Sequence, residues 1–145
     1  MKPEQRGYQW LRKHITPPSR VDRIENLMVL GMPDVNIKLV NCPEFWVEIK
    51  APNEPVRTTT PLIGGRNHGV SQDQKNWFLR QHKARGHAFF LLCTNKRTLL
   101  VPGLYADELN SMTLAQVRQV SRIDLFHHEA ITPEEFTTCL RNSIL

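Results

Sequence analysis

The sequence predicts a mixed α/β domain, a central sheet with helices on its faces. Three observations lead there. Apolar and polar residues alternate over 35–40 and again over 45–50, as in two half-buried strands. The run HAFFLLCT over 87–94 reads as a buried strand, and helical-period segments stand before and between these runs, at 3–15 and 72–85. With 145 residues and 40% hydrophobic content, the chain suits one domain, expected over 1–145, with an α/β core over 1–101 and a helical extension over 102–145.

The elements follow in order. Pro3 suits a first helical turn, Glu4 follows it, and Tyr8, Leu11 and Ile15 share one face before Thr16-Pro17-Pro18-Ser19 ends the helix. Val21 to Asn26 is a short strand, with charged residues between Val21 and Ile24. In the next strand Val35, Ile37 and Leu39 face one way and Asp34, Asn36 and Lys38 the other. Asn41-Cys42-Pro43-Glu44 is a turn, after which Phe45, Val47 and Ile49 alternate with Trp46, Glu48 and Lys50. Two such runs around a short turn predict an antiparallel hairpin.

Residues 51–70 form a long loop rich in Pro, Gly and Thr, of the kind that is usually functional or mobile. Ser71 is a natural cap for the helix Gln72 to Arg85, with Gly86 as its terminator. The strand 87–94 turns through Asn95-Lys96-Arg97 into a second strand, Thr98 to Val101. Beyond Pro102-Gly103 the chain reads as helical, at 104–110, 113–122 and 133–140.

Composition excludes several classes. No apolar run approaches the roughly 18–20 residues of a membrane span. The start MKPEQRGYQWLRKH lacks the apolar core of a secretory signal. Three widely spaced cysteines, Cys42, Cys93 and Cys139, fit neither a disulfide scaffold nor a paired-cysteine zinc site. A cytoplasmic, reducing setting without membrane contact is expected. Residues 1–100 hold 16 basic and 8 acidic side chains, net +8, whereas residues 101–145 hold 3 and 6, net −3. A basic body points to a polyanion, with nucleic acid the first choice over a merely solubilising surface.

The chemistry-bearing residues lie on the hairpin. Glu48 and Lys50 share a face by the period of two. Thirteen residues lie between Asp34 and Glu48, and a hairpin folded about 41–44 sets the two acids on adjacent strands near one level. Two carboxylates so placed repel unless a cation joins them, and Mg²⁺ or Mn²⁺ takes such oxygen ligands together with water and phosphate. Lys50 can hold a water or neutralise charge on a phosphate. Each residue also has a plainer explanation. Pro-Asp is common in turns, and an exposed Glu/Lys pair is often only a weak ion pair.

The pattern Gly31-Met32-Pro33-Asp34, then Glu48-Ile49-Lys50, then Ser71 and Gln74 opening a helix with Trp77 following, resembles the PD-(D/E)XK nuclease superfamily. It is most similar to the VRR-NUC and Holliday-junction-resolvase branches, of phage or prokaryotic type. The resemblance spans about residues 1–101 and implies a restriction-endonuclease-like core. It implies Asp34, Glu48 and the Ile49 backbone carbonyl as ligands of Mg²⁺ or Mn²⁺, Lys50 as the catalytic lysine, and Gln74 beside them. It adds a first-helix glutamate, with Glu4 the candidate and Glu25 its competitor. The implied activity is a metal-dependent endonuclease on DNA, with RNA the other polyanion, structure-selective for branched or flapped substrates and working as a homodimer.

Arg57, Arg66, His68, Lys75, Lys83 and Arg85 are the candidate phosphate contacts, against the plainer reading of a decorated loop and a solvated helix face. His127-His128-Glu129 is read as structural, because adjacent histidines point apart on a regular element. Trp77 is read as core, and Trp46 stands on the face of the acids. Two other functions are weighed: a non-catalytic nucleic-acid-binding module on the same fold, and a small phage regulatory interaction protein.

Overall fold

The structure, a computed structural model, describes residues 2–24, 28–64, 69–127, 129 and 131–144. Glu25, Arg66, His68 and His128 lie outside the described residues. The elements are α1 (Pro3–His14), β1 (Arg20–Arg23), β2 (Val35–Lys38), β3 (Phe45–Lys50), α2 (Gln72–Lys83), β4 (His87–Cys93), β5 (Arg97–Pro102), α3 (Leu114–Val120), β6 (Ile123–Phe126) and α4 (Pro133–Ile144).

Six strands form one sheet in the order β1-β2-β3-β4-β5-β6. Neighbours are antiparallel except β3 and β4, which run parallel and are joined through α2. A parallel pair needs such a crossover, and a helix supplies it. The hairpin between β2 and β3 forms as expected, with Asn41 in left-handed conformation at φ 59°. The Lys38 ammonium donates to the carbonyls of Leu39 and Cys42, which fastens the turn.

Side-chain alternation divides the core between the two faces of the sheet. Val35, Ile37, Phe45, Val47, Ile49, Phe89 and Leu91 pack with Leu11 of α1, with Ile15 just after that helix, and with Phe136 and Leu140 of α4. The two helices meet where Trp10 and Phe136 stand edge-to-face at 4.8 Å. Gly7 lets α1 approach the sheet, since a Cβ there would lie 3.0 Å from Ile49 and 3.1 Å from Cys93. On the other face Phe90, Leu92, Leu99 and Val101 pack against Phe78 of α2 and Val117 of α3.

The stretch after Pro102 differs from the all-helical expectation. In place of a helix over 104–110 stand two short 3-10 turns, Gly103–Tyr105 and Leu109–Ser111, and Ile123–Phe126 is a sixth strand. The strand pairs with β5 over Arg97↔Phe126 to Leu100↔Ile123 and covers an edge whose six residues are all buried. An exposed apolar edge would invite pairing with other chains, which is the physical reason for the extra strand. Helix α2 stops at Lys83, two residues short of expectation. Arg85, rather than Gly86, takes the left-handed position, φ 59°, with Arg85 N–H donating to His82 O and Gly86 N–H to Gln81 O.

The loop after β3 is anchored. Leu62, Ile63 and Val70 are buried, Leu62 N–H donates to Met112 O, and the Asn110 side chain bonds both backbone groups of Val70. Glu54 in the same loop pairs with buried Arg97 at 3.1 Å and accepts from Thr94 Oγ1 at 2.7 Å. Among the described residues no helix is long and apolar enough to cross a membrane.

Candidate active site

The register of the hairpin sets the site. Val35 pairs with Val47, so one step further Asp34 stands opposite Glu48. The two carboxyl groups are close enough that each bears on the protonation of the other. Asp34 stands just before β2, not on it as the alternation predicts, and is exposed, whereas Glu48 on β3 is 5% exposed. Burial pushes Glu48 up to about 8, and the Asp34 charge adds to this while Lys50 opposes it. Asp34 is also raised, by burial of its carboxyl, against the pull of Arg23 and Lys50.

Lys50 is on the same face, two residues along β3. Its ammonium donates to Gln74 Oε1 and to Gly69 O, each at 3.1 Å. Gln74 is held in turn by the start of α2. Its Oε1 accepts the Ser71 N–H at 3.0 Å, and its own N–H donates to Ser71 Oγ at 3.2 Å. This reciprocal cap satisfies backbone donors that a helix start leaves open. One amide oxygen therefore both caps the helix and holds the lysine.

Gly31 fits the loop before Asp34 against this helix start. Its φ is +77°, and a Cβ would lie 2.1 Å from the Asp73 carbonyl oxygen. The glycine of Gly31-Met32-Pro33-Asp34 is thus required both by backbone conformation and by close approach to α2.

Of the residues singled out from the sequence, Asp34, Glu48, Lys50 and Gln74 are brought together. Ile49 lies between the two site residues of β3, its side chain buried on the opposite face against Gly7. Glu4 sits in the first turn of α1 and its charge is felt at Asp34 and at Cys93. It does not join the acid pair: among the described residues no three His, Cys, Asp or Glu side chains gather closely enough to hold a metal ion. Lys75 is half-buried beside Gln74. Lys83 and Arg85 are exposed at the far end of α2, about 12 Å along the helix. Arg57 is exposed in the loop after β3.

Arg23 is a residue that sequence reasoning missed. It lies on edge strand β1 opposite Val35, near enough to bear on the Asp34 carboxyl, and its guanidinium is 6.0 Å from the Tyr8 ring centroid. A lone arginine on a short charged strand carries no signal of this; only the pairing of β1 with β2 shows it. His127 and Glu129 border a different feature, a cleft of about 510 Å³ against α1 that also includes Trp10 and Cys93. That cleft is on the opposite face of the sheet from Glu48 and Lys50. Burial, with the Glu4 charge, pushes the Cys93 thiol up to about 12, so it stays protonated.

The mixed sheet, its single parallel step and its flanking helices make this a restriction-endonuclease-like fold. Among solved structures the chain is similar to Hjc, a Holliday junction resolvase from the archaeal hyperthermophile Archaeoglobus fulgidus, with a TM-score of 0.53. The match covers 80% of this chain and 88% of that one at 14% identity, and is a likeness of fold. No protein-family model matches the chain, and no curated protein matches it.

Proposed function

We propose that the chain is a metal-dependent endonuclease that hydrolyses DNA phosphodiester bonds, with branched or flapped DNA as its substrate class. The observation that carries this reading is the buried Glu48 carboxyl set against Asp34, with the Lys50 ammonium beside both. Two acids crowded together, one almost fully buried, are costly unless a cation shares them. The donor set is all oxygen, which suits a hard ion. Asp34, Glu48 and the Ile49 carbonyl would hold Mg²⁺ or Mn²⁺. Such an ion supplies neutralisation of phosphate charge and a lowered water pKa.

The chain's own residues do the rest. An ammonium has three donors, and Lys50 uses two on neutral oxygens, Gln74 Oε1 and Gly69 O. The third remains for the attacking water or for a phosphate oxygen as charge develops. Gln74 fixes the direction of that donor, and Glu4 adds negative charge at the same end of the sheet. Arg57, Arg66, His68, Lys75, Lys83 and Arg85 would grip phosphates without reading sequence. The substrate class and a homodimeric state follow from the resolvase likeness by analogy. The order of Gly31-Met32-Pro33-Asp34, Glu48-Ile49-Lys50, Ser71 and Gln74 supports a nuclease of the PD-(D/E)XK superfamily, with the VRR-NUC and Holliday-junction-resolvase branches as its proposed relatives.

The test is cleavage of linear, flapped and four-way DNA with Mg²⁺, Mn²⁺ or EDTA, beside Glu48→Ala and Lys50→Ala. Cutting in either metal, abolished by EDTA and reduced at least 100-fold in both variants, is expected. DNA binding with no cutting in any metal would make the chain a binding module instead.

A further inference from the structure

Beside the acids, the same face of the sheet carries an aromatic feature that phosphate chemistry does not use. Trp46 precedes Glu48 by two residues on β3, about 6.6 Å along the strand. It is half-exposed although β3 is an inner strand, and it meets Trp77 of α2 edge-to-face at 6.0 Å. Trp77 is half-exposed too, and packs edge-to-face on Phe78 at 5.4 Å. Phe78 in turn stacks on Phe90 at 4.2 Å and 16°, and both phenylalanines are fully buried. Four rings thus run from the core outward and end at the rim of the site. Each inner ring fixes the next, so the outer indoles are held in place before any ligand arrives.

Resting on the nuclease reading above, we propose that Trp46 and Trp77 form a stacking platform for an unpaired base beside the scissile phosphate. A base inside a duplex has both faces covered by its neighbours, so only an unstacked base can use an exposed ring. The spacing suits one nucleotide. Its phosphate lies at Asp34, Glu48 and Lys50, and its base reaches Trp46. The platform would therefore select DNA with a flap, gap or branch at the cut. Stacking tolerates any base, since every base has an aromatic face, so the selection is for structure and not for sequence.

The test compares two substrates with Mg²⁺, one fully paired and one with an unpaired nucleotide at the cut. Trp46→Ala should lower kcat/KM on the unpaired substrate about 10-fold, a loss at least five times greater than on the paired one. Trp46→Phe should restore most of it. Equal losses on both substrates, or none on either, would overturn the platform while wild-type cutting keeps the nuclease reading. Binding is read separately, in EDTA, by titrating Trp10→Phe protein with oligothymidine and following indole emission. Quenching that falls by at least half on adding Trp46→Phe supports the platform. Its absence overturns the platform whether or not the protein cuts DNA. Quenching without cutting by wild type leaves the platform standing as a binding surface and refutes the nuclease.

Discussion

Burial lifts the Glu48 carboxyl to about 8 in the folded chain, against 4.5 as its ordinary value, and the neighbouring Asp34 reinforces this. The folded state therefore favours the protonated acid. The stabilisation is complete below about pH 4.5 and is lost as the pH rises through 8, at about 1.4 kcal/mol per pH unit between these limits. In EDTA the thermal midpoint should fall from pH 5 to pH 8. Glu48→Gln should flatten that slope and melt above wild type at pH 9, and thermal unfolding across the series checks both. Gln74 has a separate role. Gln74→Ala removes the acceptor shared by Lys50 and the Ser71 N–H, so kcat should fall about 10- to 100-fold, with about 1 kcal/mol of stability lost. Gln74→Glu keeps an acceptor at that position and should recover much of the rate, as steady-state kinetics and melting would report.

At the scale of elements, the junction of the Gly31 loop with α2 is the least tolerant contact near the site. Gly31→Ala places a side chain at φ +77° and within 2.1 Å of a backbone carbonyl, so the loop or the helix must move. A loss of more than 2 kcal/mol is expected by denaturant unfolding, with cleavage impaired beyond what the melted fraction explains. The hairpin was legible in the sequence because a period of two, a short turn and a buried face leave one register open, and that register alone puts Asp34 opposite Glu48. Ser71 and Gln74 were legible because a capping box has its own spelling. The strand β6 was not. Its four residues come two residues after a helix, too few to establish a period, and its reason for existing is the apolar edge of β5, which lies more than twenty residues earlier. Arg85 in the left-handed position was hidden for a similar reason, since the adjacent Gly86 is the residue that ordinarily occupies it.

For the molecule as a whole, the segment after Pro102 belongs to the same sheet and the same core. Phe136 and Leu140 of α4 are buried with α1, and Asp124 of β6 pairs with Arg118 at 2.7 Å. A chain ending at Val101 would expose β5 and lose the α4 cover over α1. It should aggregate on expression, while the full chain gives a single cooperative unfolding transition; light scattering and calorimetry distinguish the two. An independently soluble 1–101 fragment would instead separate the core from its extension.

The strand order carries one last implication. Every neighbouring pair in the sheet is also consecutive in the chain, and the longest connection, which carries the crossover helix α2, separates β3 from β4. The first three strands, β1 to β3, and the β4–β5 hairpin can each zip up quickly, since closing a short loop costs little entropy. Both acids and the lysine sit within the span from β1 to β3, while Gln74 arrives with the crossover helix. Assembly then has a natural sequence: the two carboxyls are juxtaposed first, and docking of the helix that unites the halves is also the event that locks the ammonium in place.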